Sequence, residues 1–281
     1  MTFISSETVS SDVGRTVGIV IVHYQNTADV VRYLRRLSVI ATDEEGYLPV
    51  VVNNEERLPN PLRTRDNIVL LNSESNVGYL NACWEGINAV RERAGRHPTW
   101  WVVSNPDLKL SPSFFPRLLQ MSPPDTLGVM APDVRERGGR PCNPFLKCRP
   151  SPSWIRRRIR IFSNGVLAWL YRRASEGRRF LESPPSVSPD PRKIYAPHGS
   201  LMVFHRRFFE CGGELAHDGF MYGEEIHIAE QARRCNLTVR WSPELSAKHL
   251  GRGATKHISS ERTRQWLLDS LRVLYRAHFD E

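Results

Sequence analysis

Gly223-Glu224-Glu225 sets two adjacent carboxylates at the start of a helical pattern, and carboxylates are among the side chains that take protons from reacting groups. The same acids also suit that position for a simpler reason, because a helix N-terminus favours negative charge. Ser104-Asn105-Pro106-Asp107 follows an apolar run, and a carboxylate helped by an amide carbonyl is a donor set for a hard cation such as Mg2+ or Mn2+. Asn76-Val77-Gly78 precedes a helical pattern. Glycine there permits a positive φ and close approach to a ligand, and the helix start presents N–H groups to phosphate; a plain turn and cap is the other reading. His23-Tyr24-Gln25-Asn26 and Asn53-Asn54 end further apolar runs, where polar groups either line a ligand site or close a turn, with Asn26 or Thr27 as a helix cap.

Such groups need a scaffold that gathers them. Residues 17–22 form a β-branched run without polar alternation, the pattern of a strand buried on both faces. Residues 50–52, 68–71 and 100–103 repeat it. Apolar residues at 30, 31, 34 and 37 have helical spacing, and a second helix is predicted over 79–93. Strand and helix in alternation specify right-handed βαβ units and a parallel sheet, which takes its ligands beyond the carboxyl ends of the strands. His23-Tyr24-Gln25-Asn26, Asn53-Asn54, Asn76 and Ser104-Asn105-Pro106-Asp107 are the polar groups at those ends. A polar tail, expected to be flexible, occupies residues 1–14. Downstream, residues 133–153 are rich in Pro, Gly and Arg, one helix is predicted over 153–173, and SPPSVSPDP at 183–191 reads as a loop. A short strand near 201–204, a helix near 225–235, a strand near 237–241 and an amphipathic helix over 261–279 complete the chain.

The 281 residues are 40% hydrophobic and 25% charged, a globular composition with room for a sizeable core. No run of 18 apolar residues predicts a spanning helix, and the first residues lack the basic start and apolar stretch of a signal peptide. Five cysteines without a C-x-x-C pair argue against a disulfide framework and a zinc ribbon, and so for a reduced, cytoplasmic compartment. The net charge of +9 is concentrated: residues 149–179 hold nine Arg against Glu176 alone, so the rest is nearly neutral. Trp154, Phe162, Leu167, Trp169, Leu170 and Tyr171 interleave with those arginines, the composition of a helix lying on an anionic membrane surface through residues 153–173. A packed helix and a nucleic-acid patch are the alternatives. No recognition motif supports the latter, so nucleic acid is not expected as a partner.

Seven blocks resemble, in order, family 2 glycosyltransferases of the GT-A fold, especially bacterial rhamnosyltransferase-like members: IVHYQNTADVVRYLRRL, VVVNNEE, NVGYLNACWEGINAV, WWVVSNPDLKLSPSFFPRLL, APHGSLMVFHRRFFE, MYGEEIHIAEQARR and KHLGRGAT. The resemblance spans roughly residues 17–255. It implies an α/β fold with a nucleotide-sugar-binding half over 15–120, an acceptor-binding and catalytic-base half over 121–255, and a C-terminal helix over 256–281. It implies inverting sugar transfer from a nucleotide-diphosphate donor to a glycan acceptor that is lipid-linked, at the inner face of the plasma membrane. L-Rhamnose from dTDP-rhamnose is the first donor implied; a UDP-hexose transferase, or a catalytically silent binding module, is the alternative. Glu225 takes the place of the family's base, with Glu224 beside it. His23, Tyr24, Asn53, Asn76, Gly78, Asn105, Asp107, His198, Gly199 and Arg252 fall where the family holds the nucleotide sugar, and Asp107 and His249 where it holds Mg2+ or Mn2+. Two positions depart from the family pattern. Asn53 stands where an Asp is usual, and only the last acid of a D-x-D-like motif remains, as Asp107.

Overall fold

A computed structural model describes residues 2–3, 17–41, 46–63, 68–174, 190–251 and 260–280. In chain order the elements are β1 (Thr2–Phe3), β2 (Val17–His23), α1 (Thr27–Ile40), β3 (Tyr47–Asn53), α2 (Asn60–Arg63), β4 (Val69–Asn72), α3 (Tyr79–Ala94) and β5 (Trp100–Ser104). They continue with β6 (Leu108–Leu110), α4 (Phe114–Gln120), β7 (Leu127–Glu136), α5 (Pro152–Ser163), α6 (Gly165–Ala174), β8 (Lys193–Ile194), β9 (Leu201–His205), α7 (Arg206–Glu210), α8 (Glu224–Arg234), β10 (Thr238–His249) and α9 (Ser260–His278).

One mixed sheet runs through the molecule in the order β1-β4-β3-β2-β5-β9-β7-β10-β6, with β8 on β10. Strands β4, β3, β2 and β5 are mutually parallel, as the unalternated runs predict. Their residues point alternately to two faces. Ile19, Ile21, Val51, Trp100 and Val102 meet Tyr33 and Leu34 of α1 and Phe114 and Phe115 of α4 on one face. Val20, Val50, Val52, Trp101 and Val103 meet Cys83, Ile87 and Val90 of α3 on the other. Burial on both faces is why these strands carry no polar residue until their last position.

The second half departs from the parallel plan. β9 enters antiparallel between β5 and β7, and β6 adds antiparallel to β10. Residues 127–136 form the ten-residue β7, which the sequence reading does not assign and of which only the end at Arg135 and Glu136 is exposed. The helix predicted over 153–173 is two helices. Asn164 is extended (φ −115°, ψ 120°) and ends α5, while its Oδ1 accepts hydrogen bonds from the N–H groups of Val166 and Leu167 and so starts α6. An Asn side chain competing for backbone donors is a better cap than helix interior. Ile155 and Phe162 of α5 and Ala168 of α6 pack on Ile226 of α8 and Leu268, Leu271 and Leu274 of α9, a third core beside the sheet.

Candidate active site

A cleft of about 1130 Å3 opens beyond the carboxyl ends of the parallel strands. Tyr24, Asn76, Gly78, Asn105, Asp107, His198, Gly199, Glu224, Glu225 and His249 all line it. Two further expected residues, His23 and Asn53, do not line it. Arg252 lies outside the described residues. His23 and Asn53 stand behind the cleft wall, fully buried. In the β2–β3 register they are paired positions, with His23 Nδ1 2.7 Å from Asn53 Oδ1 and His23 Nε2 2.8 Å from Thr27 Oγ1. The Asn53 amide also donates to the Glu55 carbonyl and to Asn72 Oδ1. These groups are spent on each other. Asn54, one residue on, faces the cleft instead: its Oδ1 accepts from Val77 N–H (3.0 Å) and its Nδ2 donates to Asn76 Oδ1 (2.9 Å).

Asn76 Oδ1 also accepts from Gly78 N–H at 3.1 Å, so Asn54 and Asn76 together shape the turn into α3. Gly78 has φ +87°, and a Cβ there would come within 2.6 Å of the Phe220 carbonyl oxygen. Only glycine lets this turn meet the loop that leads to the two acids. Asn81, in the first turn of α3, clamps the same loop by exchanging hydrogen bonds with the His217 backbone (2.8 and 2.9 Å).

Sheet order assembles the rest. Pairing of β10 with β6 sets His249 opposite Leu108, which brings His249 Nε2 to 3.2 Å from Asp107 Oδ1, and Leu250 N–H donates to the Asp107 carbonyl. The hydrogen bond to Asp107 holds the His249 imidazolium above the usual histidine range, against the opposing effect of burial. Antiparallel β5–β9 pairing brings Ser200 to Asn105, whose N–H donates to the Ser200 carbonyl at 2.9 Å. A carboxylate and an imidazole side by side are both divalent-cation ligands. Among the described residues no third His, Cys, Asp or Glu side chain joins them in such a group. The pair therefore fits a cation whose remaining ligands come from phosphate oxygens and water.

Glu224 and Glu225 open α8. Glu224 Oε1 accepts from Tyr222 N–H at 3.0 Å, and Glu225 Oε1 accepts from Gly199 N–H at 3.2 Å. A Cβ on residue 199 would lie 3.0 Å from that Glu225 oxygen, closer than ordinary contact, so the carboxylate would have to give by a few tenths of an ångström. Burial, then repulsion from Glu224, pushes Glu225 up to about 8, and burial raises Glu224 as well. Glu230, further along α8, has a different fate. Burial alone would raise it, but hydrogen bonds from Arg149 (2.8 and 3.1 Å), Tyr195 (2.8 Å) and Arg233 (3.1 Å) hold it below the usual range, as a structural anion.

The cleft also contains Phe220, Met221, Tyr222, Arg262 and Trp266, none of which stands out in the sequence as a site residue. Trp266 packs on Phe220 with ring centroids 5.2 Å apart. In sequence, Trp266 is one position of an amphipathic stripe, and nothing local distinguishes it from core.

Behind the acids, His217, His227 of α8 and His278 of α9 pack as tilted rings with centroids 4.8 and 5.3 Å apart. Burial, then like-charge repulsion among them, pushes His217 down to about 4 and His227 to about 3, and burial lowers His278 too. Folded values below the unfolded 6.5 mean that the stability carried by neutral imidazoles is full above about pH 6.5 and is lost as the pH falls toward 4. The urea midpoint is expected to drop between pH 6.5 and 5, and to drop less in a His217→Gln, His227→Gln variant. Equal slopes in the two proteins would refute a role for the histidine cluster.

No family model matches the chain. A curated relative, the low-salt glycan biosynthesis hexosyltransferase Agl10 of Haloferax volcanii, is 26% identical over 231 residues, covering 82% of this chain and 66% of its own length. Among solved structures, GalNAc-T7 with UDP, GalNAc and Mn2+ superposes with a TM-score of 0.62 at 14% identity, over 95% of this chain and 48% of that one. The mannosyltransferase PcManGT of Pyrobaculum calidifontis, in complex with GDP-Man and Mn2+, gives 0.56 at 12% identity, over 95% and 65%. The chain thus spans about two thirds of the relative's length and about half of the first structure's. Its fold is the GT-A fold of these glycosyltransferases.

Proposed function

We propose that this protein is an inverting glycosyltransferase that moves a sugar from a nucleoside-diphosphate donor to a hydroxyl of a glycan acceptor. The observation that carries the reading is the meeting, in one cleft, of the Asp107–His249 pair with a carboxylate raised to about 8, Glu225. The likeness to a hexosyltransferase and to two nucleotide-sugar enzymes supports it.

The reaction joins the acceptor oxygen to the anomeric carbon as the bond from that carbon to the diphosphate breaks. Glu225 removes the acceptor proton; its raised value keeps it a strong enough base near neutral pH, and the Gly199 N–H steadies the carboxylate. Glu224, tied to the Tyr222 N–H, holds the turn and keeps its neighbour's value high. Of the residues lining the cleft, we assign Tyr24, Asn54, Asn76 and Gly78 to the nucleotide and Asn105, His198 and Gly199 to the sugar. Asp107 and His249 would hold a divalent cation, Mn2+ or Mg2+, which when bound offsets the charge gathering on the diphosphate. The donor is a nucleotide-linked hexose or 6-deoxyhexose, with dTDP-L-rhamnose first and UDP-hexoses next, and the acceptor is lipid-linked at an anionic membrane surface.

The test is a melting series with dTDP, UDP and GDP, each with and without Mn2+ or Mg2+, followed by donor turnover with the best nucleotide's sugars. One nucleoside diphosphate should raise the melting temperature by several degrees in the presence of metal, since a ligand at about 100 times its Kd adds about 2.7 kcal/mol. No shift with any of them, together with no sugar release, would overturn the reading.

A further inference from the structure

Six large hydrophobic side chains are exposed among the described residues, and four of them fall within five consecutive positions of α6: Val166, Leu167, Trp169 and Leu170, at 67, 49, 58 and 50%. Ala168, buried, and Tyr171, half-buried, face the protein, so α6 is a short helix whose outward face is apolar. A helix on a water-facing surface carries the opposite pattern. We propose that α6 is a wedge that inserts into the interfacial layer of an anionic lipid bilayer, a role that does not depend on the chemistry of the cleft.

Charge on the same surface selects that occupant. Residues 149–174 contain no acid. Arg156, Arg157 and Arg160 of α5 and Arg173 of α6 are exposed, and the Arg173 guanidinium stands 6.0 Å from the Trp169 ring. An apolar tip with a tryptophan, collared by arginines, matches the acyl–headgroup boundary of an anionic leaflet. Not all of the basic segment takes part. Arg149 is committed to Glu230, and Arg158 is buried against the Trp154 ring at 3.3 Å with its Nη2 donating to the Tyr171 hydroxyl. Ile155 and Phe162 lie in the third core. The break at Asn164 thus divides the segment into α5, which packs inward and supplies cations, and α6, which supplies the apolar face. No described helix is long and apolar enough to cross a membrane, so contact through α6 would be peripheral.

The experiment is co-sedimentation of the full chain with vesicles of phosphatidylcholine, with and without phosphatidylglycerol. The wild type is expected to bind the phosphatidylglycerol vesicles. Leu167→Ser, Trp169→Ser and Leu170→Ser together should weaken binding about tenfold or more. Arg156→Gln, Arg157→Gln, Arg160→Gln and Arg173→Gln together should abolish the preference for the anionic lipid. Circular dichroism and nucleotide-induced melting shifts, measured on every variant, should match the wild type, which separates loss of the wedge from loss of the fold or of the sugar-transfer reading. A wild type that stays in the supernatant at low salt, or a serine variant that binds equally well, overturns the proposal. So does a wild type that is dimeric by light scattering with a monomeric serine variant, because the face would then belong to a second copy.

Discussion

Glu225→Gln is expected to lower turnover by roughly 10²–10⁴, the range for losing a positioned base, while nucleotide affinity stays within about twofold. The amide keeps the side chain's shape and can still accept the Gly199 N–H bond, so the donor meets the same cleft. What it lacks is the basicity to take the acceptor proton. Wild-type kcat/KM should climb with pH toward a limb near 8, where the carboxyl, raised by burial and by Glu224, becomes ionised, and that limb should vanish in the variant. The two acids interact, so the limb reports the pair. A second readout separates chemistry from folding. A carboxyl with a folded value above its unfolded 4.5 costs stability progressively as the pH rises from 4.5 through about 8. At pH 8 the variant should therefore melt above the wild type although it is nearly inactive. If Glu224→Gln loses transfer and Glu225→Gln keeps it, the base is Glu224; if both retain it, the base lies elsewhere.

Asp107→Asn should reach both binding and turnover. Asp107 is 3% exposed and its carboxylate meets His249 at 3.2 Å, so the change removes one charge from the proposed two-residue donor set, with no third described acid to replace it. Without enough protein ligands of its own, this site should hold a cation well only when diphosphate oxygens share it. Calorimetry of nucleotide binding is expected to show about a tenfold or larger gain on adding Mn2+ to the wild type, and no gain with Asp107→Asn. Transfer by the variant should fall at least about 10²-fold. The pairing of metal and mutation isolates their coupling: Asp107→Asn that weakens binding equally with and without metal would assign Asp107 to loop structure rather than to a cation.

Much of the fold is legible along the chain. Residues 17–22, 50–52 and 100–103 carry no polar side chain because strands of a parallel sheet are buried on both faces, and that demand is written locally, residue by residue. The ligand end is legible for the same reason, since polar groups become tolerable only where a strand leaves the core. Hence Asp107 stands out by type and by place, while Glu224 and Glu225 stand out as paired acids opening a helix. What each polar group does was decided by pairing. The parallel register sets His23 against Asn53 and seals both away, leaving Asn54 to the cleft. The insertion of β9 brings Ser200 to Asn105, and the end of β10 carries His249 to Asp107 across a gap of 142 positions. Trp266 reaches the cleft only because α9 returns to pack on α8, and the split at Asn164 turns one apparent amphipathic helix into two with different partners. Hydrophobic periodicity reports whether a residue is buried, which is local; register and sheet order report against what, and they arise from contacts between segments far apart in the chain.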